Sequence, residues 1–280
     1  VLDFRYHALS LVAVFLALGI GLVIGATLGD SVVSQANRDV RSSLRDDVLN
    51  SRDEARTAKA RLVDRDRALT AAFPWIAGNR LRGQRVAIVS SGDLPQSVES
   101  STRAAIKDAG GDVDSVSRFA AQPDLAELAD KLGGKYAALG TDAAEIRPLG
   151  RRLGREIARG GGAAGKLETA FADEFSGDYK GADAVAYYRS DAGRDADAKT
   201  FESALIEGLR STGMPVVGVE TTDTDPSQVP FYVNAALSTV DDVEIPPGRI
   251  ALVLTLNGIE GSYGYKSTAD APLPAPPDGG

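Results

Sequence analysis

The longest apolar stretch of the chain runs from Ala8 to Leu28, ALSLVAVFLALGIGLVIGATL, 21 residues without a charge. At about 1.5 Å per residue such a helix matches the roughly 30 Å hydrocarbon core of a bilayer, which predicts a transmembrane anchor over residues 1–30. A cleaved secretory signal is the alternative, but its apolar core is usually about 7 to 15 residues, and Gly25-Ala26-Thr27-Leu28 makes a weak cleavage site. Val1 in place of Met suggests a trimmed chain or an alternative start. Arg5, His7 and the amino terminus flank one side closely, whereas Asp30 opens the other. That asymmetry favours a cytoplasmic N-terminus with the body exported, although Arg38, Arg41 and Arg45 also lie within the counting window. Gly21, Gly25 and Gly29 recur every four residues, the small-residue spacing that lets two membrane helices approach closely.

From Ser31 to Ala72 the pattern changes to alternating Arg and Asp with neither Pro nor Gly, the composition of a solvated helix. Leu44, Val48, Ala55, Ala58, Leu62, Leu69 and Ala72 fall on alternating three- and four-residue steps. This spacing predicts a coiled-coil stalk over 31–75 and a parallel homodimer continuing from the membrane helix. Ser51 and Arg65 share the seam, so a single amphipathic helix lying on its own domain is the competing reading. Phe73, Pro74 and Trp75 are expected to end the helix, because Pro cannot continue the hydrogen-bond ladder.

Beyond the stalk, RVAIVS at Arg85–Ser90 is followed by Gly92, a helical pattern to about Ala109, Gly110-Gly111 and a strand-like run from Val113 to Phe119. Strand, Gly turn, helix, Gly stop and strand is a βαβ unit of a parallel sheet. Further helices are expected at Asp124–Leu132, within Ala143–Arg159, within Leu167–Phe175 and at Lys199–Arg210. Strands are expected at Ala182–Tyr188 and Met214–Val219, with IALVLTL at Ile250–Leu256 as the most deeply buried strand, since sheets covered on both faces carry unbroken apolar runs. The expected fold class is α/β: the anchor and stalk, then a small doubly wound, mainly parallel, Rossmann-like domain over 82–266. A Pro-, Ala- and Gly-rich tail over 267–280 is expected to be disordered.

Composition then removes whole classes of chemistry. The 280 residues include no Cys and one His, which excludes disulfides, zinc fingers, thiol nucleophiles and iron–sulfur clusters. With His7 at the edge of the apolar run, a Ser-His-Asp triad in the body is excluded as well. The net charge of −8 is uneven: 12 basic and 9 acidic residues lie up to Arg82, and 19 and 30 beyond it. An acidic body is a poor nucleic-acid binder. Gly160-Gly161-Gly162-Ala163-Ala164-Gly165-Lys166 fits seven positions of a phosphate-binding loop, but Leu167 replaces the Ser or Thr that holds Mg²⁺ and the preceding segment reads as helix, so a flexible loop is expected. The Ser90-Ser91-Gly92 turn could hold an anion on the following helix N-terminus, although such turns are usually caps.

The remaining acids offer little chemistry. Asp191, Asp195 and Asp197, and separately Asp223 and Asp225, do not follow calcium-loop spacing and read as solvated loop acids. Asp241, Asp242 and Glu244 precede Pro246-Pro247-Gly248-Arg249 and could bind a cation or pair with Arg249, a surface network being the expectation. No catalytic set and no cofactor-binding set is found, so the chain is read as a non-enzyme.

Two stretches resemble one family. Phe4-Arg5-Tyr6-His7-Ala8-Leu9-Ser10-Leu11-Val12-Ala13-Val14-Phe15-Leu16-Ala17-Leu18 resembles the start of the mycobacterial copper transport protein B family. Ser238-Thr239-Val240-Asp241-Asp242, Pro247-Gly248-Arg249-Ile250 and Tyr263-Gly264 resemble its C-terminal motif. The resemblance implies an actinobacterial envelope protein that forms channels and keeps intracellular copper low, some members being placed in the outer membrane, with copper as a transported ion. A similar actinobacterial membrane protein is associated with envelope assembly at the septum, working with a soluble partner.

The residues fit an anchor better than a pore. No run of ten-residue lipid-facing strands is present, and Ala8–Leu28 offers only Ser10 and Thr27 as polar side chains for a water path. His7 suits a polar interfacial anchor more than a metal ligand. Copper sites need thiolate, thioether or imidazole donors, of which the body has only Met214, inside a predicted strand. The expected function is a single-pass envelope protein contributing to copper homeostasis, with an oligomeric channel component as one form of that role; the alternative is a non-catalytic dimeric scaffold for a partner in envelope assembly or septation.

Overall fold

The computed structural model describes residues 4–134, 143–160, 172–178 and 180–275. The chain divides into two compact units, Val1–Asp64 and Arg65–Gly280. Helix α1 (Phe4–Ile76) supplies the first unit and enters the second. Within it, Tyr6–Gly25 is long and apolar enough to cross a membrane, with a mean hydropathy of 2.6 and no part of it buried in the chain. Leu9, Phe15 and Leu22 are 74%, 65% and 72% exposed, apolar area left uncovered within the chain. Among the described residues nothing outside their own helical turns comes within 4 Å of where a Cβ on Gly21 or Gly25 would stand, and Leu44, Val48 and Leu62 are also exposed. Charged pairs such as Arg56–Asp53, 3.2 Å apart, lie in solvent and contribute little stability.

The end of α1 differs from expectation. Pro74 lies inside the last turn, and the helix closes two residues later, where the Ala77 and Gly78 amides both donate to the Phe73 carbonyl. A proline one turn from a helix end removes a single bond, which the packing of Phe73, Ala77 and Leu81 in the body core offsets. Leu69 also packs against that core.

The body is a seven-stranded sheet of β1 (Arg85–Ser91), β2 (Asp112–Phe119), β3 (Ala172–Gly177), β4 (Ala184–Arg189), β5 (Val216–Val219), β6 (Ser238–Val240) and β7 (Ser262–Tyr263). The spatial order is β3-β2-β1-β4-β5-β6-β7, all pairs parallel except β2–β3. Winding reverses between β1 and β4, so their carboxyl ends mark the switch point of a doubly wound fold. Alternation along β1 sends Val86 and Ile88 to one face with the end of α1, α2 (Gln96–Asp108) and α7 (Pro246–Leu256), and Ala87 and Val89 to the other. That second face carries α3 (Leu125–Leu132), α4 (Ile146–Arg159), α5 (Ala196–Arg210) and α6 (Val229–Asn234).

Three expectations are corrected. Ile250–Leu256 is not a strand but most of α7: Ile250, Ala251, Leu252 and Val253 are all fully buried, and an apolar run that is covered on every side has no period to read. Pro246 and Pro247 occupy its first turn, where a missing N–H costs nothing, and are the signal for a helix start. Ala172–Gly177, expected to end a helix, is the antiparallel edge strand β3; its Ser176 and Gly177 are exposed, so no apolar run announces it, and residues 167–171 lie outside the described set. The tail is ordered as far as Ala275: the Gly264 amide donates to Ala271, the Asp270 amide to Ser262, and Ala271 and Leu273 pack on the core. Residues 276–280 and most of the Gly160–Lys166 loop lie outside the described residues.

Helices α4 and α5 meet through glycine. A Cβ on Gly154 would stand 2.2 Å from the Leu205 carbonyl oxygen, and one on Gly208 would stand 2.3 Å from that of Arg151. Neither backbone can yield without separating the helices. Gly154→Ala should therefore lower the unfolding free energy by about 1–3 kcal/mol, whereas Gly193→Ala, with open space around it, should leave the denaturant midpoint unchanged.

Candidate functional site

Two polar constellations occupy the carboxyl ends of the parallel strands. At the switch point, Ser91 ends β1 and Ser190 follows β4, joined by a bond of 3.0 Å from the Ser190 amide to the Ser91 carbonyl. In a doubly wound fold this crevice is where a ligand enters. Here it is filled by Arg194. The guanidinium donates from Nη2 to Ser91 O at 2.8 Å and Ser91 Oγ at 3.0 Å, and from Nη1 to Ser190 O at 3.1 Å and Ala192 O at 2.6 Å. Its Nε lies 3.0 Å from Glu202 Oε2, with the two side chains 1% and 3% exposed. Burial pulls the guanidinium pKa down and the Glu202 charge opposes that.

Glu202 holds the constellation together. Its carboxylate also accepts from Arg189 Nε at 3.1 Å and from the Tyr187 hydroxyl at 3.0 Å. Burial first, and the Glu202 charge second, push the Tyr187 hydroxyl well above its ordinary pKa, so it remains a donor. Arg189 continues to the Gln228 carbonyl and stacks its guanidinium 4.3 Å over the Phe231 ring. Arg194, Glu202 and Arg189 were invisible in sequence, since an Arg in a Gly-Arg-Asp loop and a Glu in a helix read as solvated. The Ser90-Ser91-Gly92 turn thus receives a guanidinium, not an anion. Asp191, Asp195 and Asp197 are exposed, and Asp195 caps α5 by accepting from the Ala198 amide at 2.8 Å.

The second constellation lies at the ends of β5, β6 and β7. Glu220, Asp241 and Asp242 are fully buried, which corrects the expected surface network. Glu220 accepts from Ser227 Oγ at 2.7 Å, from the Gln228 amide at 2.6 Å and from Lys266 Nζ at 2.6 Å. Asp241 accepts from the Tyr265 and Lys266 amides at 2.9 and 3.1 Å. Gly264, at φ 142°, is what admits it: a Cβ there would stand 1.9 Å from Asp241 Oδ1. Gly248 does the same for Asp242, whose carbonyl and Oδ1 lie 2.0 and 2.4 Å from where a Cβ would be. Arg249 pairs with the Glu244 carbonyl at 3.2 Å instead of a carboxylate, and Glu244 accepts from the Thr222 amide at 2.9 Å.

Asp242 stands apart because both its oxygens are buried without a hydrogen-bond partner. Burial, then the charges of Asp241 and Glu244, push its pKa up to about 8, with Arg65 opposing. Among the described residues no group of three or more His, Asp or Glu is arranged to hold a metal ion. Met214 precedes β5 instead of lying in it, partly buried against the core. At the other end of the chain, His7 and Ser10 are exposed on α1, and Arg5 lies in its first turn.

The buried Asp241–Asp242 pair, its two admitting glycines and the N-terminal span are the segments singled out in the sequence, and the family model described as "Copper transport outer membrane protein, MctB" matches residues 1–274. The chain belongs to the MctB family. The match takes in both α1 and the entire sheet, so the apolar helix and the body are parts of one family architecture. No curated protein matches the chain. MctB is described by transport and not by an enzymatic reaction, and it is a copper transport-related envelope family. Gly248 and Gly264 have a steric reason in this chain: each makes room for a buried aspartate.

The Asp242 carboxyl gives the MctB-family body a specific pH dependence. Its folded pKa, about 8, lies above the ordinary 3.8, so the folded chain binds the proton more tightly than the unfolded chain. The associated stability is fully present below about pH 4 and is lost as pH rises through about 8. Thermal midpoints of the wild type should fall between pH 6 and pH 9 more steeply than those of Asp242→Asn, which keeps the shape and cannot ionise.

Proposed function

We propose that this MctB-family chain is a single-pass envelope protein that supports copper export without enzymatic turnover, assembled as a homodimer through α1. The observation that carries this reading is the state of α1 in a single chain: an uncharged span from Tyr6 to Gly25, then a charged segment whose Leu44, Val48 and Leu62 are exposed. Long solvated helices draw their stability from packing an apolar stripe, and on this stretch a second copy supplies the missing face. Gly21, Gly25 and Gly29 form the contact within the membrane, and Leu44, Val48, Ala55 and Leu62 form the seam beyond it. The body lies on the exported side, and its role is recognition of an envelope partner, a reading favoured by the filling of the switch-point crevice with Arg194.

The chain's lack of cysteine permits a background-free test. Val48→Cys should form a disulfide-linked dimer under mild oxidation in detergent, and Asp46→Cys, off the seam, should not. A monomer for both variants would remove the dimer from the proposal. Function is tested by deleting the gene: copper sensitivity should appear, return to normal with the full chain, and persist with a chain lacking residues 4–25 or with one ending at residue 80. Unchanged copper tolerance on deletion would overturn the transport-related role in this cell.

A further inference from the structure

The charge of the body is negative beyond Arg82, with 19 basic against 30 acidic residues. One cleft reverses that sign. The glycine crossing of α4 and α5 brings Arg147, Arg151 and Arg155, spaced four residues apart on α4, beside Glu207, Arg210 and Ser211 of α5 and its cap. A cavity of about 480 Å³ opens there, lined by Arg151, Arg155, Glu207, Arg210 and Ser211. Glu207 is fully used: Arg147 pairs with Oε1, and Arg151 Nε lies 2.5 Å from Oε2. Burial pushes the Glu207 pKa up, but the two guanidiniums outweigh it and the carboxyl is held below its ordinary value. Two of the four arginines therefore take up the one carboxylate, and Arg155 and Arg210 border the cavity from two different helices with no acidic partner among the described residues.

We infer that this cleft is a binding site for a phosphate group, free or carried on a lipid headgroup. Guanidinium forks from two helices border one cavity, and a tetrahedral phosphate, with more oxygens and a larger negative charge than a carboxylate, serves both. The one carboxylate in the lining, Glu207, already has both its oxygens engaged by Arg147 and Arg151. The long-range repulsion of an acidic body is overcome locally because the excess positive charge is confined to the lining of one cavity. Ser211 is committed to the Gly208 carbonyl at 2.7 Å as a donor, and its oxygen is left to accept, so the charged forks carry the recognition. The site is independent of α1 and of the copper-related role proposed above.

The test is isothermal titration of the full chain in neutral detergent at low ionic strength. Inorganic phosphate, dihexanoyl phosphatidylglycerol below its micelle concentration and dihexanoyl phosphatidylcholine are the probes. Phosphate or the glycerol lipid should bind saturably at one site per chain, with the choline lipid silent. Phosphate alone binding assigns a free ligand, and the glycerol lipid alone assigns a headgroup. The pair Arg155→Gln with Arg210→Gln should weaken the interaction by about tenfold or more, while Arg52→Gln with Arg56→Gln, which removes the same charge elsewhere, should not. Arg155→Lys with Arg210→Lys keeps the charge and removes the forks, so it should weaken binding even where the glutamine pair fails to fold. Absence of binding by phosphate and the glycerol lipid, or binding unmoved by the lysine pair, would overturn the assignment.

Discussion

The carboxylate of Glu202, held between Arg194 and Arg189 beneath the carboxyl ends of β1 and β4, is the interaction on which the architecture of the body depends. Removing three charges from water is expensive, and the cost is met only because nearly every donor and acceptor around them has a partner: two strand-end carbonyls, a serine, a tyrosine and a glutamine. That requirement fixes the positions of both strand ends, the loop between β4 and α5, and the first two turns of α5. The same interaction occupies the place where a doubly wound sheet binds its ligand. Fold and function part company at this point: the topology is of the nucleotide-binding kind, but the site that would make it so is taken by the chain's own arginine.

The Asp241–Asp242 pair has the complementary logic. Asp241 and Asp242 are adjacent carboxylates buried at the end of a three-residue strand, and each is possible because a glycine from another segment leaves room for it. Asp241 ties the chain after β7 back to β6 through two backbone amides, while Asp242 sits unpartnered at the first turn of α7. A sequence pattern of Asp-Asp, Pro-Gly-Arg and Tyr-Gly thus records a packing solution in which short strands too small to hold themselves are fastened by side-chain-to-backbone bonds.

How much of this was legible in the sequence follows from the kind of signal each part leaves. The β1–α2–β2 unit was readable because glycines punctuate it and its strands are β-branched and apolar. The long apolar start of α1 was readable from length and charge alone. The helix α7 was misread because complete burial erases the period that separates helix from strand, although the two prolines at its start were available as a cue. The strand β3 was missed because an exposed edge carries polar residues, and β6 and β7 because two or three residues are too few to show alternation. The motif aspartates were located by resemblance but placed on the surface, since acidic residues next to a Pro-Gly turn are ordinarily solvated. The ion cluster left no trace at all: Arg189, Arg194 and Glu202 come together only when two strands and a helix are assembled.

Gln228 belongs to both polar constellations, giving its amide N–H to Glu220 and its side-chain carbonyl to Arg189. One residue thereby ties the β4 end to the β5 end, and Arg194 spans the ends of β1 and β4. The surface at these strand ends is thus fixed by the fold itself, so any association there would pay little in ordering, and its selectivity would rest on shape already set.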